Sequence, residues 1–234
     1  MKSAYPYQPF LLRLLHGLNG MLVIGAVLTA FWTYNTFDGR WGRISLPRFE
    51  AIESIHGTFG LWALLVFPAF VYYAFHRGQH RLVQSGSLAK LTQLGQPIGW
   101  YTLHRCMNTL ILLALTIALF SGKMMDEKWL PQGELNHFWY YAHLASWLLM
   151  VLAIALHGLM SAKVGGSPLL LSMVQRRYRQ SDSPVHWGHQ IKVVWNRLRR
   201  DGIQSIAFPS SGLQWMEGGV WVSLLAAWLI PLFK

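Results

Sequence analysis

Four histidines lie within long apolar stretches of this sequence, and their spacing suits metal binding. They are His16, His56, His143 and His157. Inside a membrane span, a histidine is unfavourable unless it meets a polar partner or a metal, so each one is a candidate ligand. His143 and His157 are 14 residues apart. On a helix this is about four turns and about 21 Å, so both rings lie on nearly the same face. One helix can therefore carry one ligand for each of two metal sites.

The stretches around these histidines predict membrane-spanning helices. Of the 234 residues, 53% are apolar and 12% are charged, about half the charged fraction of a soluble domain. A helix needs about 20 apolar residues to cross a bilayer. The sequence therefore predicts an all-α membrane protein with a four-helix transmembrane bundle, followed by a shorter fifth helix that spans or is embedded. The apolar runs without charged residues that predict these helices are 14–37, 54–76, 106–122 (extended back to about 98), 138–162 and, for the fifth helix, 218–233.

The distribution of basic residues predicts the orientation of these helices. If the four spans alternate in direction, 14 of the 20 lysines and arginines lie on the side of the N-terminus. Because the cytoplasmic loops of membrane proteins carry an excess of lysine and arginine, the N-terminus is predicted to be cytoplasmic. The same rule, together with contact with anionic membrane lipid, accounts for the net charge of +11. A nucleic-acid partner is not expected.

Alternating spans also pair the histidines by depth. His16 lies near the cytoplasmic start of the first span, and His56 lies near the outer start of the second. The fourth span runs inward, so His143 is near the outer face and His157 near the cytoplasmic face. The sequence thus predicts an inner pair, His16 with His157, and an outer pair, His56 with His143.

Two axial imidazoles at each level favour b-type haem as the metal group. Such an iron changes oxidation state with little rearrangement, and its surroundings tune its potential. No CxxCH motif is present, so a covalently attached c-type haem is not expected. Zinc is the rival metal, but it prefers about four ligands per site. A third interpretation is that the histidines only form hydrogen bonds between helices.

A short repeat, H-G-x-x-G, accompanies the first two histidines. It places Gly20 four residues after His16 and Gly60 four residues after His56. A glycine at i+4 lies on the same helix face as the histidine and removes side-chain bulk there. A flat macrocycle needs such clearance, but close packing of helices also uses small residues. The glycines alone do not separate these two interpretations.

Arginines near the cytoplasmic ends of the spans are candidates for binding haem propionates. Arg13 and Arg105 lie at the level of the inner pair, and a guanidinium forms charge-assisted hydrogen bonds to carboxylates. The polar residues at the end of the second span, which include His80 and Arg81, are expected to be solvated at the interface.

The positions of the four histidines resemble a known family. With His16 and His56 in the first two spans and the His143/His157 pair in the fourth, residues 8–163 resemble the bacterial di-haem cytochrome b561 group. That group is related to the cytochrome b subunits of nickel–iron hydrogenases and formate dehydrogenases. The resemblance implies a bundle that exchanges electrons between the quinone pool and a redox partner or small species at the outer face. It leaves open whether the membrane is a bacterial plasma membrane or an internal photosynthetic one.

Two further residues receive roles in light of this resemblance. His104 is expected to line the quinone pocket or to meet a propionate, while a plain interfacial position and ligation of the inner haem in place of His16 are the alternatives. Asn108, one turn later, either donates a hydrogen bond to a quinone carbonyl or serves as a packing amide between helices.

The chain is therefore predicted to have three parts: a di-haem domain at 8–163, a basic cytoplasmic segment with an amphipathic helix at 164–212, and a membrane helix at 213–234. The favoured function is electron transfer between quinone and a redox partner subunit. One alternative is a free-standing quinone oxidoreductase that acts on a small outer-face species such as superoxide. The other is a membrane anchor without haem.

Overall fold

Long helices dominate the structure, a computed structural model that describes residues 6–125, 135–175, 177–201 and 211–233. Four helices are long and apolar enough to cross a membrane, as the sequence predicted. The described residues contain no strand, and the predicted all-α membrane bundle is confirmed. The spanning helices are α1 (Phe10–Phe37), α2 (Ile52–His76), α4 (Pro97–Met124) and α5 (Phe138–Val174), and the others are α3 (Ser87–Leu91), α6 (Trp187–Asp201) and α7 (Ser211–Leu229).

The four spanning helices form two antiparallel pairs. Helix α1 packs along α2, and α4 packs along α5, whereas contacts between the two pairs are fewer. Gly25 permits close packing within the first pair, because a Cβ there would overlap the ring of Phe59. Between the pairs, the Trp147 indole donates a hydrogen bond to the carbonyl of Val27 at 3.1 Å. This arrangement leaves space between the two pairs.

Apolar side chains cover the outward faces of the spanning helices. Met21 and Leu28 of α1 are 64% and 66% exposed, and Leu152 of α5 is 56% exposed. In water such a surface would drive aggregation, whereas in a bilayer it contacts lipid tails. The backbone polar groups of these segments are satisfied within the helices, as a membrane requires. The chain is an integral membrane protein that contacts lipid.

Helix α5 extends beyond the predicted end of the fourth span at residue 162 and reaches Val174. Gly166 interrupts the helix with a φ of 61°, a left-handed conformation that glycine adopts without strain. Pro168 then lies in the first turn of the resumed helix, where a proline is tolerated. The chain therefore kinks at Gly166 and resumes a helical path, so the first part of the predicted cytoplasmic segment is helical as far as Val174.

Helix α7 packs against α2 and α4. Its buried residues Val220, Leu224 and Ala227 recur at helical spacing and join the apolar core. Near its start, a carboxylate oxygen of Glu217 lies 2.9 Å from Nε2 of His76 at the end of α2. The chain between α6 and α7, residues 202–210, lies outside the described residues.

The segment after α5 is attached to the beginning of α1. The Asp182 carboxylate accepts hydrogen bonds from the Tyr7 hydroxyl and from the backbone N–H of Phe10. An acidic group at a helix N-terminus satisfies a free N–H and complements the helix dipole. Trp187 is the first residue of α6, and its ring centre lies 5.8 Å from the ring centre of Phe10. Helix α6 therefore starts beside the N-terminal end of α1.

Candidate functional site

The structure brings the four intramembrane histidines together in two pairs. The ring centres of His16 and His157 are 6.1 Å apart, and those of His56 and His143 are 5.9 Å apart. A metal that binds an imidazole nitrogen at about 2 Å on each side places two ring centres about 6 Å apart. These are the pairs that helix direction predicted. We name the first pair site I and the second pair site II.

At site II, both imidazoles are oriented by backbone carbonyls of neighbouring helices. The Nδ1 atom of His56 lies 3.1 Å from the carbonyl oxygen of Ala26, and that of His143 lies 3.0 Å from the carbonyl oxygen of Ala118. A carbonyl oxygen only accepts hydrogen bonds, so each Nδ1 carries the proton. Each Nε2 is then left with a lone pair for a metal, the arrangement usual for metal-binding histidines.

At site I, a side-chain amide takes the place of the backbone carbonyl. The Nδ1 atom of His157 lies 2.8 Å from Oδ1 of Asn108. The Asn108 amide nitrogen donates in turn to the backbone carbonyl of Arg81 at 2.9 Å. Both polar ends of Asn108 are therefore engaged. The structure therefore places this amide between α4 and α5, behind the imidazole of His157.

Each histidine pair lines a cavity between the helix pairs. The site I cavity has a volume of about 600 Å³, and the site II cavity has about 460 Å³. Both volumes fall within the range of about 300–1,000 Å³ that is typical of ligand and cofactor pockets. Val23 and Leu115 line both cavities, so the two spaces meet at an apolar boundary.

The glycines of the H-G-x-x-G repeat open these cavities. Gly20 lines the site I cavity and Gly60 lines the site II cavity, and a Cβ at either position would meet no atom within 4 Å. The described residues therefore show open space and no close helix packing at these two positions. At Gly122 the need is different, because a Cβ there would lie 3.2 Å from Cε1 of His143.

Site I contains a third imidazole. The ring of His104 is 5.2 Å from that of His157, and both residues line the cavity. Nε2 of His104 lies 3.1 Å from the Ser161 hydroxyl, which bridges α4 and α5. The sequence predicted His104 at this level. The structure shows it beside the His16–His157 pair and hydrogen-bonded to a neighbouring helix.

The two predicted propionate-binding arginines have different positions. Arg13 is buried and donates hydrogen bonds to the backbone carbonyls of Gln175 and Arg177, and it does not line the site I cavity. Both carbonyls belong to the extended chain that follows the end of α5 at Val174. Arg105 does line the cavity, with its guanidinium 4.5 Å from the centre of the Tyr101 ring.

Arg81 lines the same cavity, although the sequence suggested only a solvated interfacial residue. It ends the short 3₁₀ turn Gln79–Arg81, which follows α2 and returns the chain towards site I. Its guanidinium donates to the side-chain oxygen of Gln8 at 2.7 Å, and burial lowers its pKa. The sequence signal was weak, because a basic residue after a membrane span is most often explained by topology.

The C-terminal end of α1 is joined to α5 by hydrogen bonds near site II. The Asp38 carboxylate pairs with Arg40 at 2.9 Å and accepts a hydrogen bond from the Tyr140 hydroxyl at 2.6 Å. Burial raises the pKa of Asp38, but the hydrogen bonds from Tyr140 and Arg40 outweigh it and lower the pKa overall. Arg40 is therefore engaged within the protein. Lys128, a basic residue in the sequence between α4 and α5, lies outside the described residues.

Comparison with known proteins adds one match. The family model described as prokaryotic cytochrome b561 matches residues 7–176, which is more than half of the chain. The matched region contains both histidine pairs, whereas α6 and α7 lie beyond it. No curated protein and no solved structure matches.

Proposed function

We propose that this chain, which belongs to the prokaryotic cytochrome b561 family, binds two b haems, one at site I and one at site II, and transfers electrons between them. Membership of the family indicates transmembrane electron transfer through b haems. The observation that carries the two-site proposal is the pair of imidazoles, with centres 6.1 Å and 5.9 Å apart, at two levels of one bundle.

Each part of a site has a distinct task in this proposal. A haem held there would supply a one-electron couple that needs little rearrangement. The four histidines would hold the iron of each haem, while the groups that accept hydrogen bonds from Nδ1 of His56, His143 and His157 fix the orientation of those rings. Gly20 and Gly60 leave room for the macrocycle. The shared apolar boundary keeps water from the space between the sites.

Site I is the proposed point of exchange with quinone. Its cavity is the larger of the two, and it extends from the histidines to the polar side chains of His104 and Ser161. Leu169 and Met173, which follow the kink of α5, form an apolar wall for a lipid-soluble ligand. The basic residues near this end support a cytoplasmic N-terminus. A redox partner would then exchange electrons at the site II end.

Haem counting tests the two-site proposal directly. We expect the pyridine haemochrome assay to give two haems per wild-type chain, and one haem in His143→Ala and in His157→Ala. His186→Ala, which changes an exposed histidine outside both cavities, is the matched control and should keep two. A His157→Ala variant that retains both haems would show that another residue ligates the site I iron.

The alternative of a free-standing oxidoreductase for a small anion gains no support from Arg40. A free cation at the outer face would attract a small anion, but Arg40 pairs with Asp38 and donates a hydrogen bond to the Tyr141 hydroxyl at 3.1 Å. Purification separates the two functions. A stable complex with other subunits favours the electron-transfer subunit, whereas quinone-dependent turnover by the isolated chain favours the free-standing enzyme.

A further inference from the structure

Two guanidinium groups, those of Arg81 and Arg105, lie at the polar end of the site I cavity. Arg81 is half-buried, and its acceptors are neutral: Gln8 at 2.7 Å and the imidazole of His80 at 3.4 Å. Nε of Arg105 is buried and has no hydrogen-bond partner. Within the described part of the chain, neither guanidinium has a carboxylate within 4.0 Å. A buried cation without an anion is unfavourable, so this end of the cavity is suited to an anionic group.

The side chain of Asn108 connects this basic end of the cavity to the site I histidines. Asn108 accepts a hydrogen bond from His157 and donates one to the carbonyl of Arg81, so a single side chain holds both residues. A haem carries two propionate carboxylates, and a guanidinium binds a carboxylate through charge-assisted hydrogen bonds. Two arginines beside one histidine pair therefore match the two acidic groups of one haem.

Among the described residues, the site II cavity has no such excess of positive charge. The charged residues of this part of the chain that line it are Glu53 and Lys123, whose formal charges cancel. The two cavities therefore differ by two positive charges, although their histidine pairs have almost the same spacing. A positive charge near a redox centre favours the reduced form, because the reduced form carries one positive charge less.

We propose that Arg81 and Arg105 bind the propionates of the haem at site I and make this site easier to reduce than site II. This inference rests on the proposed function. Its consequence is a preferred direction of electron transfer, from site II, which is oxidised by one electron, to site I, which is reduced by one electron. No bond is formed or broken in this step, and no proton is transferred.

A redox titration followed by absorption spectroscopy tests the proposal, with each spectral component assigned from the single-haem variants His143→Ala and His157→Ala. In Arg81→Gln and Arg105→Gln, we expect the ratio of reduced to oxidised haem at site I to fall about tenfold at a fixed ambient potential, with site II unchanged. This is the size of effect that a neighbouring charge has on other charge-changing equilibria.

Two controls make the result specific to the charges at each site. Arg81→Lys keeps the positive charge and should retain most of the wild-type ratio, even though it loses the forked geometry. Lys123→Gln removes a cation from the other cavity and should lower the ratio at site II alone. Two haems whose potentials do not change in either arginine variant, or change equally at both sites, would overturn this inference and leave the proposed function intact. A wild-type chain with fewer than two haems would overturn both.

Discussion

Sites I and II contain the same pair of facing imidazoles in different surroundings. Each has two imidazoles with ring centres about 6 Å apart and a glycine that leaves room beside them. Site I adds a third histidine and two arginines, whereas the charges that line site II cancel. In the proposed function, the histidine pair therefore determines which group is bound, and the charges around the pair determine how easily that group is reduced.

The two sites also differ in how their imidazoles are oriented. At site II the hydrogen-bond acceptors are the backbone carbonyls of Ala26 and Ala118, which are present whatever side chains those residues carry. At site I the acceptor for His157 is the side chain of Asn108. Site II is therefore built into the helix backbone, and site I depends on one replaceable amide.

The largest expected effect comes from filling the clearance beside each pair. Gly20→Leu should abolish haem binding at site I only, and Gly60→Leu should abolish it at site II only, because each new side chain would occupy the cavity. The pyridine haemochrome assay should therefore fall from two haems per chain to one in each variant.

Gly17→Leu is the matched control for this experiment. Gly17 belongs to the same repeat as Gly20, but it is exposed and lines neither cavity, so this variant should keep two haems. If Gly60→Leu also kept two haems with wild-type spectra, the glycines would not provide the clearance, and the similarity of the two sites would be limited to their histidines.

A smaller effect should separate the two ways of orienting an imidazole. Asn108→Ala removes the only acceptor that the structure gives Nδ1 of His157 among the described residues, so haem retention at site I should weaken by about 10- to 100-fold. Ser121→Ala removes a hydroxyl 3.1 Å from Nδ1 of His143 but leaves the Ala118 carbonyl in place. Site II should therefore stay close to wild type.

Transfer of haem to an apo-globin in excess measures this retention at both sites. The expected result is faster loss from site I in Asn108→Ala and nearly unchanged loss from site II in Ser121→Ala. Equal losses in the two variants would contradict the distinction between a side-chain and a backbone acceptor.

The smallest effects concern two hydrogen bonds at the ends of the bundle, the one between Tyr140 and Asp38 and the one between Tyr7 and Asp182. Their contributions to stability should be lost at opposite ends of the pH range. The pKa of Asp38 is below its ordinary value of 3.8, so this group contributes fully to stability above that value and loses its contribution as the pH falls through its folded pKa. Burial, and then the hydrogen bond to Asp182, raise the pKa of Tyr7 above 10.0. Its contribution is full below 10.0 and is lost as the pH rises through its folded pKa.

Thermal unfolding, followed by circular dichroism across this pH range, measures both contributions. Asp38→Asn should have a smaller acid-induced decrease in Tm than wild type, and Tyr7→Phe should have a smaller alkaline decrease. If both variants kept the complete wild-type pH profile, neither hydrogen bond would contribute measurably to stability.

The spanning helices of the bundle and the pairing of histidines between them could be predicted from the sequence. Charge-free runs of sufficient length predicted the four spanning helices, because a bilayer requires about 20 apolar residues per helix. Once the directions alternate, the position of each histidine along its span gives its depth. The pairing of His16 with His157 and of His56 with His143 needed no further information, and the structure brings these residues together.

The surroundings of each pair were decided by contacts between distant segments. From the sequence, Arg13 was predicted to bind a haem propionate, and Arg81 was predicted to be solvated at the membrane interface. In the structure, Arg13 binds backbone carbonyls just beyond the end of α5, while a 3₁₀ turn directs Arg81 into the site I cavity. Likewise, Gly166 kinks α5 where its sequence suggested an end.

The sequence by itself therefore determined which histidines lie at the same depth and face one another, because helix rise and membrane thickness are fixed lengths that relate residue number to position. Only the tertiary structure decided which polar side chains accompany the histidines. That choice depends on the direction of each side chain and on hydrogen bonds between segments far apart in the chain, such as the one from Asn108 to Arg81. Neither of these follows from the spacing of residues along one helix.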